Sequence, residues 1–215
     1  MTGEIPDVLA RSRLPGRLVA ATHNPGKLQE IRYFLDPYGV DTISAAELRL
    51  DELEETGSTF NENATLKARA AAQASALVAL ADDSGLCVEA LGGAPGIHSA
   101  RWAGEPRDFS VAIARVERQL RAIDAPPPWR AYFVSVLALA WPGGRVEIFE
   151  GRVDGDLVFP ARGTLGFGYD PIFRPDGHAR TFGEMNADEK HGSPRDGSAL
   201  SHRARAVQKL ARAYF

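Results

Sequence analysis

The sequence predicts a mixed α/β protein (α/β or α+β): one mixed sheet flanked by helices, with two lobes and a central cleft. Three observations carry this expectation. Short apolar runs alternate with amphipathic helical segments in the first half, hairpin and loop signals dominate the second half, and the polar clusters fall on loops and strand ends.

Residues 1–16, punctuated by Pro6, Pro15 and Gly16, read as a flexible tail before a single domain over 17–215. Leu18 to Thr22 is an apolar run that stops at His23-Asn24-Pro25-Gly26, where proline and glycine mark a turn or the first turn of a helix. Leu28, Ile31 and Leu35 then recur at helical spacing, while Lys27, Glu30 and Arg32 are expected to point elsewhere. Val40 to Ile43 reads as a second strand, followed by an acidic stretch, Glu47 to Glu55, too polar for a core. Thr59-Phe60-Asn61-Glu62 matches a capping box, and the alanine-rich segment to Ala76 favours helix. Leu77 to Ala81 reads as a strand ending at Asp82-Asp83-Ser84-Gly85, with Leu86 to Glu89 pairing beside it. Gly92 to Gly96 is a loop, and Phe109 to Ile123 an amphipathic helix closed by three prolines. Tyr132 to Trp141 and Arg145 to Glu150 form a hairpin around Pro142-Gly143-Gly144, and Asp156 to Phe159 a further short strand. Thr181 to Glu184 caps a short helix toward Lys190, and Leu200, Ala204, Val207 and Ala211 line one face of a last helix.

Composition removes several function classes. With 25 basic and 28 acidic residues the formal charge is −3, which disfavours a general polyanion binder. The lone cysteine, Cys87, reads as a buried strand residue and excludes a disulfide scaffold or a cysteine zinc site. The longest apolar runs fall short of the roughly 20 residues of a membrane span. Met1 to Gly16 does not read as a signal peptide, so the expected compartment is the cytoplasm.

Four polar clusters carry possible chemistry. Thr22-His23-Asn24-Pro25-Gly26-Lys27 sits where a helix N-terminus, its free N–H groups and an ammonium suit a phosphate, although an ordinary helix cap fits the same residues. Asp82 and Asp83, with Glu54 and Glu55, offer hard oxygens for Mg²⁺ and a base for water, or else a plain turn. Adjacent aspartates in a strand point to opposite faces, so one of the pair faces any one site. Gly166-Phe167-Gly168-Tyr169-Asp170-Pro171 interleaves aromatics with glycines ahead of an acid, as a nucleobase pocket requires and as a tight turn over a core also permits. Ser201-His202-Arg203, with Lys190 upstream, offers phosphate or base-edge donors or a solvated helix face. Arg101 reads equally as an anion contact or as a surface arginine stacked on Trp102.

The order of these clusters is specific. Thr22-x-Asn24-x-x-Lys27, Glu55-Thr56-Gly57, Phe60-x-x-Asn63-Ala64, Leu66-Lys67-Ala68, Ala81 to Leu86, Leu91 to Ile97, Ser99-Ala100-Arg101, Gly166 to Phe173 and Ser201-His202-Arg203 together resemble the inosine/xanthosine triphosphate pyrophosphatase family over roughly Leu18 to Leu210. The resemblance implies hydrolysis of non-canonical purine nucleoside triphosphates (ITP, dITP, XTP) to monophosphate and pyrophosphate, with Mg²⁺, by a homodimer. It also implies an elongated mixed sheet. In this chain it implies that Thr22, His23, Asn24 and Lys27 cradle the triphosphate with Lys67 in reach. Glu55 and Asp83 would hold the metal, Asp83 would be the general base, and Ser84 would touch substrate. Phe167, Gly168, Tyr169, Asp170, Lys190, His202 and Arg203 would line the base pocket. His23 stands where many relatives carry a small residue, and the 192–200 linker is longer than the family spacing. Two other function classes remain in view: a non-catalytic nucleotide-binding regulator, against which the acids argue, and a nucleic-acid module on the basic last helix, disfavoured by the net charge.

Overall fold

The computed structural model describes residues 14–192 and 198–215. Six strands form one mixed sheet in the order β2-β1-β3-β4-β5-β6, with β1 at Arg17–Ala20, β2 at Asp41–Ser44, β3 at Ala79–Val88, β4 at Trp129–Ala140, β5 at Val146–Leu157 and β6 at Phe173–Pro175. The β1–β2 and β1–β3 pairs are parallel and the others antiparallel, so the expected mixed sheet is present. Five helices flank it: α1 (Pro25–Leu35), α2 (Phe60–Ser75), α3 (Phe109–Ala122), α4 (Ala187–His191) and α5 (His202–Tyr214). Of the expected 1–16 tail, residues 1–13 lie outside the described residues, whereas Leu14 is buried against the core. Residues 193–197 of the linker also lie outside them.

Local chemistry explains most element boundaries. Pro25 occupies the first turn of α1, and Asn24 Oδ1 caps it by accepting from Gly26 N (2.9 Å) and Lys27 N (3.2 Å). Thr59 caps α2 through Glu62 N, but the Glu62 carboxylate turns to Ser58 N and Oγ (2.7 and 2.9 Å), one residue before the expected box. The box at Thr181 and Glu184 is present on a 3-10 turn, and α4 begins separately under its own Asn186 cap.

Three expectations about strands are corrected. β3 does not stop at Asp82-Asp83-Ser84-Gly85: it runs through them, paired with Leu137, Val136, Ser135 and Val134 of β4, and includes the supposed partner strand beginning at Leu86. Tertiary pairing overrides the turn preference of those residues. The strand expected at Asp156 to Phe159 belongs to the end of β5, and the short edge strand β6 was not foreseen.

The alternation of β3 sets the layers. Leu80, Asp82, Ser84, Leu86 and Val88 face one side, and Ala79, Ala81, Asp83, Gly85 and Cys87 the other. On the first side one hydrophobic cluster joins Leu80, Leu137 and Leu139 to α1 and α5, and a second joins Leu86, Val88 and Phe133 to α3 and the segment around Phe173 and Phe182. Between them lies a polar band of Asp82, Ser84 and Ser135, all three within the sheet. On the second side Ala64, Ala68, Ala71 and Ala72 of α2 pack on β3 and β4, their small side chains permitting a close approach.

Gly151 of β5 positions the start of α5. A side chain there would collide with His202 O and Ala206 N, so only glycine lets this helix lie on the strand. That contact brings His202 and Arg203 to the polar band.

Candidate active site

The polar band opens into a cavity of about 900 Å³. The structure brings all fifteen residues singled out from the sequence to its wall: Thr22, His23, Asn24, Lys27, Glu55, Lys67, Asp83, Ser84, Phe167, Gly168, Tyr169, Asp170, Lys190, His202 and Arg203. Seven lysines and arginines face eight aspartates and glutamates along the lining, a formal charge of −1.

One end is an acid cluster crossed by lysines. Lys67 Nζ lies 2.6 Å from Glu55 Oε1 and 3.0 Å from Asp83 Oδ1, and it also donates to Asp82 O at 3.1 Å. Burial lifts the Asp83 carboxyl above its ordinary range against the pull of Lys67 and Lys27, and Glu55 adds to the lift. Glu55 is itself opposed by burial but held low by Lys67. Asp83 Oδ2 is buried with no partner among the described residues. That oxygen is the open valence of the cluster.

At the loop before α1, Lys27 reaches Asp82 Oδ2 at 3.0 Å, and burial lowers its pKa in spite of that carboxylate. The free helix donors expected here are taken: Gly26 N and Lys27 N by Asn24 Oδ1, and Leu28 N by Asn24 O. An anion at this turn therefore competes with the cap. His23 Nε2 lies 3.0 Å from Leu50 O, tying the loop to the acidic stretch.

The other end is built by the glycine-aromatic loop and α5. Gly166 has φ +72°, and a side chain on it would strike the Asp170 carboxylate, which turns inward to accept from Phe167 N (3.0 Å) and Lys190 Nζ (2.7 Å). Phe167 packs beside Gly26, joining this loop to the start of α1. Tyr169 lines the cavity while buried in the adjoining core, it donates to Ser99 O at 2.9 Å, and burial raises its pKa. The His202 ring stacks on Phe133 (4.8 Å between centroids, 14°), and burial with the nearby Arg203 and Lys190 cations holds it well below its ordinary 6.5. Its Nδ1 is buried and unpartnered among the described residues, as is Arg203 Nε.

Arg203 is 1% exposed, so the solvated-face alternative fails for it while Lys209 and Arg212 do lie outside. Its guanidinium donates to Glu30, to Asp82 Oδ2 (3.0 Å) and to Ser84 Oγ (2.9 Å). Ser84 in turn donates to Asp82 Oδ2 (3.0 Å), and Ser135 to Asp82 Oδ1 (2.6 Å). The Asp82 carboxyl is held well below its ordinary range, burial being outweighed by Arg203 and Lys27. Glu30, expected to point elsewhere, is buried and accepts from Lys190 (3.2 Å) and Arg203, with His191 Nε2 at 3.3 Å. Its position three residues after Lys27, on the same helical face, was the available signal. Arg101 does not stack on Trp102, whose ring is covered by Arg115 at 4.0 Å; it donates to Glu55 O at 2.8 Å.

The arrangement offers a base with a free oxygen, paired cations for an anion, and a cavity lined by His202 and Arg203, each with a buried unpartnered nitrogen among the described residues. Known proteins resemble the chain over nearly its whole length. The Ham1 family model matches residues 18–213. A dITP/XTP pyrophosphatase of Bradyrhizobium diazoefficiens is 60% identical over 93% of this chain and 95% of its own. Another of the same description, from Rhodopseudomonas palustris, is 60% identical over 93% and 96%. The solved structure of a HAM1 protein from Coxiella burnetii superposes with a TM-score of 0.81 at 38% identity, covering 91% of this chain and 96% of that one. A nucleoside-triphosphatase / dITP/XTP pyrophosphatase from Mycobacterium abscessus gives 0.71 at 38% identity over 90% and 98%.

Proposed function

The chain belongs to the Ham1 family, and from that membership we propose that it hydrolyses dITP, XTP and ITP to the nucleoside monophosphate and pyrophosphate. The observation that carries this reading is that one cavity holds both Asp83, with its unpartnered buried oxygen, and the buried unpartnered nitrogens of His202 and Arg203. The first suits activation of water, the second recognition of a base.

Water attacks the α-phosphorus, the bond to the bridging oxygen breaks, and pyrophosphate leaves. Asp83 takes the proton from water through its unpartnered oxygen. Lys67 and Lys27 stand beside it to offset charge on the phosphates. The residues present fit a Mg²⁺ ion held by Glu55 and Asp83, because hard carboxylate oxygens, one of them unpartnered, face a cavity whose formal charge of −1 would otherwise repel a polyanion. Among the described residues no three acidic, histidine or cysteine side chains gather as a complete metal site, so phosphate oxygens would complete the shell. Such an ion, when bound, supplies Lewis acidity to phosphate and a more acidic water.

At the other end the pocket reads the 6-position. A 6-oxo purine accepts from the pocket's nitrogen donors, whereas a 6-amino group leaves them unpaired at about 1–3 kcal/mol each. Lys190 and Asp170 position that wall through their 2.7 Å pair. Thr22, Asn24 and Ser84 complete the substrate contacts, and Tyr169 supports the loop from behind. We read the two hydrophobic clusters as the cores of two lobes around an elongated sheet, the working form as a homodimer, and the site of action as the cytoplasmic nucleotide pool. No helix among the described residues is long and apolar enough to cross a membrane.

The test is pyrophosphate release from dITP, XTP, ITP, GTP and ATP with and without Mg²⁺, for the native chain and Asp83→Asn. Mg²⁺-dependent release from the first three, lost in the variant, is expected. Tight dITP binding without turnover would replace the enzyme by a nucleotide-binding regulator.

A further inference from the structure

This inference rests on the reading of the cavity as a nucleoside triphosphate site and adds residues to it. The lysines and the arginine deep in the cavity are already neutralised: Lys27 by Asp82 (3.0 Å), Lys67 by Glu55 and Asp83 (2.6 and 3.0 Å), Lys190 by Asp170 and Glu30 (2.7 and 3.2 Å), and Arg203 by Glu30 and Asp82. Each of them therefore shares its charge between a carboxylate and any incoming phosphate. Three further arginines, Arg49, Arg101 and Arg107, line the same cavity, and none of them forms an ion pair among the described residues.

Two of the three stand at the acid end. Arg49 lies in a turn closed by Arg49 N donating to Ala46 O (3.0 Å) and Leu50 N to Ala45 O (2.9 Å), and the next carbonyl, Leu50 O, faces His23 Nε2 at 3.0 Å. Arg101 Nη2 donates to Glu55 O at 2.8 Å, one residue's backbone away from the carboxylate that meets Lys67. Arg107 precedes Phe109, whose ring meets Tyr169 at 5.5 Å, and so belongs to the base end. We propose that Arg49 and Arg101 form a clamp for the β- and γ-phosphates, the half of the substrate that leaves as pyrophosphate. A guanidinium free of a carboxylate partner offers planar paired donors to phosphate oxygens, which the neutralised lysines below do not. Arg101 also holds the Glu55 segment through that hydrogen bond, so the same side chain would meet phosphate and place Glu55. The clamp distinguishes a triphosphate from its monophosphate product.

The test uses Arg49→Ala, Arg101→Ala and the double variant, with Arg118→Ala, an exposed arginine of α3 outside the cavity lining, as the charge control. Inhibition of dITP turnover by inorganic pyrophosphate and by dIMP is measured separately, beside thermal melting. Each clamp variant is expected to weaken pyrophosphate inhibition about tenfold, the factor that 1.4 kcal/mol represents, and to leave dIMP inhibition within about twofold. Arg118→Ala is expected to change neither, and melting to stay put because both clamp arginines are exposed. Equal weakening of both inhibitors, or no change in either while native protein releases pyrophosphate from dITP, overturns the clamp. A lower kcat for Arg101→Ala with pyrophosphate inhibition intact removes Arg101 from it, leaving only its hold on Glu55. Native protein that releases no pyrophosphate from dITP instead overturns the triphosphatase reading on which the clamp stands.

Discussion

Asp82 and Asp83 are consecutive in β3, yet their carboxylates serve opposite faces of the sheet and different cations: Asp82 meets Arg203 and Lys27 at 3.0 Å each, and Asp83 meets Lys67 at 3.0 Å. Their energetic roles are opposite too. Asp82 is stabilised as an anion by its surroundings, whereas Asp83 carries its charge against burial. Asp82→Ala leaves Lys27 without a carboxylate and Arg203 with Glu30 alone, and is expected to cost about 3–5 kcal/mol, read from urea unfolding. Asp83→Asn relieves an unfavourable charge; stability is expected to hold within about 1 kcal/mol or rise, while pyrophosphate release falls about 100-fold or more. The reverse pattern would exchange the structural and catalytic assignments.

The pH dependence of stability follows from three buried groups. His202 has a folded pKa well below its ordinary 6.5, so below that pH the unfolded chain binds a proton that the folded chain refuses. Stability is therefore complete above about 6.5 and is lost as pH falls from there. Glu30 and Asp82 are depressed from 4.5 and 3.8 and extend the loss further into acid, since they too are protonated first in the unfolded state. His202→Gln is expected to flatten the melting temperature between about pH 5 and 6.5 and to leave the steeper acid limb intact. An unchanged slope in that window would assign it to another group.

Gly151 tests how the last helix is set. Gly151→Ala drives a methyl against His202 O and Ala206 N, and it is expected to cost about 1–3 kcal/mol while raising KM for dITP more than it lowers kcat. Gly143→Ala in the hairpin turn, with nothing near the added methyl, is the matched control and is expected to change neither. Loss of stability with substrate binding intact would mean that α5 tolerates displacement without moving His202 and Arg203.

Legibility in the sequence followed the range of the interaction. Asn24, Pro25, Thr59 and Asn186 act on their own helix starts, and Pro25 and Thr59 show that role in neighbours a few residues away. Asp82 to Gly85 were misread as a strand end because the partners that hold them in a strand, Val134 to Leu137, lie some fifty positions on. The fifteen expected site residues meet in one cavity because motif order recorded what spacing alone did not. Ser135 and Phe133 carry no local signal, since a serine or phenylalanine in an apolar strand looks the same whether it meets a partner strand or an aspartate and a histidine.

Glu30 turns into the site against expectation, and the counter-ion role assigned to it is open to direct measurement. One buried carboxylate meets Lys190 at 3.2 Å, His191 at 3.3 Å and Arg203, residues more than 150 positions away that form the floor of the base end. Glu30→Ala leaves Lys190 with Asp170 and Arg203 with Asp82, so each cation keeps one partner but loses the group that joins them. The expected cost is about 3–5 kcal/mol, with KM for dITP raised. Glu30→Gln, which keeps the shape and one acceptor oxygen, is expected to recover part of both. A double-mutant cycle with Lys190→Ala separates the network from mere packing. Coupling above about 0.5 kcal/mol is expected, because the two side chains meet at 3.2 Å and the second substitution removes a cation that the first has left with one carboxylate fewer. Additive losses would show Glu30 and Lys190 acting independently, with Asp170 alone holding the lysine in place.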